Sequence, residues 1–212
     1  SARPTIAPTI IILLILSPAI IFGLYVLGAI LLATLTNYSP DEQEIVSTEG
    51  KGESIKGSSF SVIIWNIGYG GLGEKADFFY DGGKMVRSPK EDVEVYEKGI
   101  FETVASWKED ADFILLQEVD RNSKRSYGSD QYETLRGKLD GFVSGFASNY
   151  KVKFIVMPLS KPLGKVHSGL ASFSKYSPAE SVRFQFPGNF SWPKSVFFFD
   201  RCFLLPHFTL DV

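Results

Sequence analysis

The chain has 212 residues, 44% hydrophobic and 14% aromatic, which suits a folded body and excludes a wholly disordered one. Its 22 Lys and Arg stand against 24 Asp and Glu, a formal net charge of -2, so the basic footprint of a dedicated nucleic-acid binder is missing. The single cysteine, Cys202, excludes an internal disulfide framework and any multi-cysteine zinc site.

Residues 6–35 carry no charged side chain and are dominated by Ile, Leu, Ala, Val and Gly. About 20 apolar residues suffice to cross a bilayer core, so residues 1–38 are expected to form a transmembrane anchor. Pro18, Gly23 and Gly28 are tolerated in such a helix. The rival is a cleaved signal peptide, whose apolar core runs to about 7–15 residues before a small-x-small site. This run is longer, and Ala33-Thr34-Leu35 is a poor site. Arg3 on one flank, against Asp41, Glu42 and Glu44 on the other, places the N-terminus in the cytoplasm and the soluble part outside. Residues 39–58, with Gly50, Gly52, Gly57 and scattered charges, show no apolar period and read as a flexible linker.

Residues 60–66 are β-branched and aromatic, hence a strand ending in Asn66, and run into Ile67-Gly68-Tyr69-Gly70-Gly71. That glycine loop lacks Gly-Lys-Ser/Thr and does not match GxGxxG, so it is no phosphate cradle. On composition alone Asn66 is more often a turn former than a site residue. After a polar loop over 73–91, a helix is expected from Asp92, its buried stripe being Val93, Tyr96, Ile100, Val104 and Trp107. Phe113-Ile114-Leu115-Leu116 then predicts a strand buried on both faces, which delivers Gln117-Glu118 at its end. Strand, helix and strand put Asn66 and Glu118 in one sheet. If the two strands are parallel neighbours, both side chains reach the same edge, where α/β proteins place their chemistry.

Asp130 with Glu133 three residues on predicts a capped helix burying Tyr132, Leu135 and Leu139. Strands are expected over 151–157, 169–174 and 181–186, and a final apolar hairpin over 196–199 and 202–205. Asn149, just before the first of these, is a weaker candidate for substrate contact, with a structural turn as the plainer reading. Arg121 and Arg201 suit phosphate oxygens, or equally plain bridges to Asp120 and Asp200.

Taken together, residues 60–66 with their glycines, Gln117-Glu118, Ser168-Gly169-Leu170-Ala171-Ser172-Phe173-Ser174, Trp192-Pro193 and residues 200–203 resemble the endonuclease/exonuclease/phosphatase superfamily, the DNase I-like phosphoesterases. The layout is similar to a membrane-anchored bacterial subgroup. The resemblance implies the N-terminal half of a DNase I-like four-layer α/β sandwich over residues 59–212. It also implies Mg²⁺, or Mn²⁺ in its place, with Glu118 and Asn66 as metal-binding and catalytic residues, Glu118 binding the metal and Asn66 helping to hold the metal or the scissile phosphate. The implied reaction is hydrolysis of a phosphodiester or phosphomonoester by in-line attack of water. A lipid headgroup, a nucleic acid or a small phosphoester would be the substrate; the acidic balance and the anchor favour the lipid or small phosphoester. No protein partner is implied.

The family's later Asn-x-His, Gly-Asp-x-Asn and Ser-Asp-His segments are absent, and neither His167 nor His207 has their context. The chain is therefore expected to be half of an enzyme, inactive as it stands, with an uncovered sheet face and an aggregation-prone segment at 196–199. The alternative is a non-catalytic, membrane-tethered binding protein that keeps the fold.

Overall fold

A computed structural model describes residues 8–55, 57, 59–188 and 190–209. Arg3, on which the orientation across a membrane was argued, lies outside the described residues. Helix α1 (Pro8–Leu35) includes Pro18 without a break, and within it Ile15–Leu35 is long and apolar enough to cross a membrane. A signal sequence meets the same two conditions. Most of that span projects free of the remaining chain. Ala29 and Ala33, one turn apart, are buried, and α1 meets the body of the protein at the strand and turn described below.

The body is mixed α/β with two sheets. Strands β1 (Gln43–Ile45) and β2 (Thr48–Glu49) precede β3 (Val62–Asn66); α2 (Lys90–Ser106) leads to β4 (Phe113–Asp120). After α3 (Gln131–Lys138) come β5 (Val143–Ile155), β6 (Gly164–Ser174), β7 (Glu180–Gln185) and β8 (Cys202–His207). The larger sheet has the order β2-β5-β6-β4-β3 and the smaller β1-β7-β8. Among these strands only β3 and β4 run parallel, with α2 as their crossover, and the other strand pairs are antiparallel.

The core explains these elements. Glu91 and Asp92 in the first turn of α2 complement its dipole, and Val93, Phe101 and Val104 face inward. Asp130 caps α3 as its spacing predicts, its carboxylate accepting from the Glu133 amide at 3.2 Å. Tyr132, Leu135 and Leu139 then close over Ile114, Leu116, Val119 and Phe173 of the sheet.

Four expectations change. Residues 39–58 are not a free tether: β1 adds to the edge of the small sheet and β2 to that of the large one. Edge strands satisfy backbone groups and need no apolar period, so the sequence pattern was silent. The second change is at β4, which is not covered on both faces. Ile114 and Leu116 are buried against the helices, but Phe113 and Leu115 are half-buried, and neighbouring Val62 and Ile64 are exposed. The small sheet covers β5 and β6 through β8.

The third change concerns residues 196–199, which form no strand. A 3₁₀ turn, Ser195–Phe197, seats Val196 inward, and β8 pairs with β7 instead. Last, β5 begins well before residue 151, and Asn149 lies inside it at a break in register rather than in a turn ahead of it.

Candidate functional site

Parallel pairing sets Asn66 opposite Gln117 at the carboxyl ends of β3 and β4. There β4 loses register with β6 between Leu116 and Val119, and Glu118 adopts φ of +54°. Such a bulge bends the strand and re-aims a side chain. Here it brings Glu118 Oε1 to 3.0 Å from Asn66 Nδ2, which donates to it. A non-glycine residue held at positive φ costs about 1–3 kcal/mol and is found preferentially where function needs the geometry.

Asn66 is held from its other side. Its Oδ1 accepts from the Gly68 amide at 2.9 Å, which folds the chain into the 3₁₀ turn Gly68–Gly70. All three residues of that turn have positive φ, at +54°, +44° and +64°. Glycine fits at 68 and 70 without steric cost; Tyr69 between them does not. Its ring is buried, with the Arg125 guanidinium carbon 3.7 Å from its centroid. Burial pushes the Tyr69 hydroxyl pKa up, so it stays protonated.

Beneath this turn lies a closed polar network. Arg125 donates to both oxygens of Asp120, at 2.8 and 3.0 Å, and Ser126 Oγ donates to Oδ2 at 2.9 Å. Burial works against the Arg125 charge, but Asp120 outweighs it and holds the guanidinium pKa up. Gln131 joins three elements: it accepts from the Asp120 amide at 2.8 Å and donates to Tyr69 O and Glu97 Oε1 at 2.7 and 2.8 Å. The end of β4, the glycine turn, α2 and the start of α3 are thus fixed to one another.

The remaining candidates sit apart. Asn149 is on β5, two strands from β4 and so about 10 Å across the sheet. Its carbonyl accepts from the Asp200 amide at 2.8 Å. Arg121 is engaged by Asp130 and Glu133 rather than Asp120, and Asp120 is fully buried against Arg125 rather than at the surface. Arg201 is exposed, near the ring of Phe199. His167 Nε2 lies 2.8 Å from Ser148 Oγ, and burial together with Lys151, Arg121 and Lys165 lowers its pKa to about 4. His207 ends β8, exposed. A groove of about 600 Å³ between α2 and the glycine turn borders Asn66 but not Glu118.

A divalent cation fits this arrangement in one limited way. No group of three His, Cys, Asp or Glu that could hold a metal occurs among the described residues, so an all-protein cage is not available. Mg²⁺ is commonly held by one or two carboxylates with water and substrate oxygens filling the rest. Glu118 offers such a carboxylate, its Oε1 fixed by Asn66 and its Oε2 without a hydrogen-bond donor among the described residues. Tyr69, Arg125 and Gln131 went unnoticed in the sequence; a buried pair five residues apart and a left-handed tyrosine leave no periodic signal. No protein-family model, no curated protein and no solved structure matches the chain.

Proposed function

We propose that the chain is a membrane-anchored, metal-dependent phosphoesterase of DNase I-like architecture, with its cation at Glu118. The observation that carries this reading is the 3.0 Å contact between Asn66 and Glu118, made by a bulge at the ends of two parallel strands. When bound, Mg²⁺ or Mn²⁺ would neutralise a phosphoryl oxygen and orient water for in-line attack. Glu118 would be its protein ligand. Asn66 orients that carboxylate, as an outer hydrogen bond does for a metal ligand. The Tyr69, Arg125 and Asp120 network keeps the turn and the strand end rigid beneath them.

A base for the attacking water must lie within hydrogen-bond reach of it. Asp120 is spent on Arg125, and His167 is bound to Ser148. Among the described residues neither is free for that role. The absence of a three-ligand group among those residues favours a second reading, a tethered binding protein that retains the site without turnover.

The test is Mn²⁺ binding to the full chain in detergent, followed by electron paramagnetic resonance, beside hydrolysis of bis(p-nitrophenyl) phosphate. Binding lost in Glu118→Gln, with turnover, supports the enzyme. Binding lost in that variant without turnover supports the binding protein. Binding that survives Glu118→Gln, or none at all, overturns both.

A further inference from the structure

One strand and one turn of the body lie against α1. Trp192 Nε1 donates to Thr34 Oγ1 at 3.1 Å, and α1 meets both β5 and the turn Ser195–Phe197. If Ile15–Leu35 spans a bilayer, its 21 residues give about 31 Å of helix, close to the roughly 30 Å of a hydrocarbon core. Ala29, buried by this contact, sits about 9 Å before the end of the helix. Whatever touches it is carried to the depth of the headgroup and upper acyl layer, about 5–10 Å in for an interfacial element.

The surface found there matches that environment. The loop after β7 exposes Phe190 and Trp192, and the tip between β5 and β6 exposes Met157 and Leu159. These are large apolar side chains that a protein surrounded by water has no reason to gather on two neighbouring loops. Charge is distributed to suit. Residues 151–165 contain four lysines and no acid, in a chain whose formal net charge is -2. Lys194 Nζ lies 3.8 Å from the Phe190 ring centroid, an ammonium seated on an aromatic face. Aromatic side chains interleaved with Lys are what the interface of an anionic leaflet selects.

We propose that the β5–β6 tip and the loop carrying Phe190 and Trp192 form a second membrane contact, inserted into the same leaflet from which α1 emerges. The proposal rests on α1 as a membrane span and not on any chemistry at Glu118. It has a consequence for the site. β5 runs in the same direction as β4, so the β5–β6 tip leaves the sheet at the end that carries Asn66 and Glu118. The contact therefore turns that end towards the lipid; on the phosphoesterase reading proposed above, and only on it, the phosphoester within its reach is a phospholipid headgroup.

The experiment reconstitutes the full chain in nanodiscs of phosphatidylcholine and phosphatidylglycerol brominated at shallow acyl positions. Tryptophan emission is then read for wild type and Trp192→Phe. Trp65 and Trp107 pack on each other against the core and serve as an unquenched background. Quenching in wild type that is lost in Trp192→Phe is the expected result. Chain that enters the discs with no quenching, or with the same quenching in the variant, overturns the second contact alone. Chain that does not enter the discs overturns the membrane span as well, and the contact with it. Mn²⁺ binding at Glu118 is unaffected in all three cases, so the two readings fail separately.

Discussion

Asn66 Nδ2 stands 3.0 Å from Glu118 Oε1 across a sequence gap of 52 residues, and it does so because β4 is bulged. A regular strand would continue the alternation that begins at Ile114 and Leu116 and would not hold Glu118 at φ +54°. The irregularity and the contact are one feature.

Removing the amide therefore acts through Glu118. Asn66→Ala is expected to weaken Mn²⁺ affinity by about 10-fold or more, as loss of an outer partner of a metal ligand commonly does. Titration by electron paramagnetic resonance measures it, and unchanged affinity would remove Asn66 from the site.

Strain gives a second prediction with the opposite sign. Glycine inside a strand ordinarily costs about 0.5–1 kcal/mol. At position 118 it relieves a left-handed backbone, so Glu118→Gly is expected to be neutral or up to about 1 kcal/mol stabilising while abolishing metal binding. Chemical denaturation reads the first effect and the resonance titration the second.

Asp120→Asn leaves Arg125 buried with its charge unmatched. The expected cost is about 3–5 kcal/mol of unfolding free energy. Replacing both partners, Asp120→Asn with Arg125→Met, recovers much of it, because no uncompensated charge remains. Equal instability in the single and double variants would show that the pair is not what holds this turn.

His167 sets an acid limit. Its pKa falls from 6.5 in the open chain to about 4 in the folded protein. Between those values the unfolded state binds the extra proton, so stability is complete above about pH 6.5 and declines as pH falls towards 4. Solvent at its exposed edge keeps the loss to about 2 kcal/mol or less. His167→Gln should flatten that part of the stability-pH curve measured by urea titration; an unchanged slope would assign the acid sensitivity elsewhere.

The sequence was most legible where a signal was periodic or chemically distinct. The stripe of α2, the Asp130 cap and the apolar run before Gln117 located their elements, and strand-helix-strand order brought Asn66 to Glu118. It was least legible where an element depends on what lies beside it. The polar stretches of β1 and β2 become strands only because two sheet edges are open to them. Phe197 and Phe198 looked like strand residues, but Val196 finds its burial in a 3₁₀ turn packed on α1 and β5. Gln131 opens α3, and nothing local announces that its amide ties together β4, α2 and the glycine turn.

The short stretch that adds β1 to one sheet and β2 to the other also follows directly on α1. A tug on the helix along the chain reaches both sheets at once, and it loads antiparallel ladders of backbone hydrogen bonds in shear, where several must break together. A pull on this helix is thereby passed to the whole body as a rigid load rather than taken up by slack.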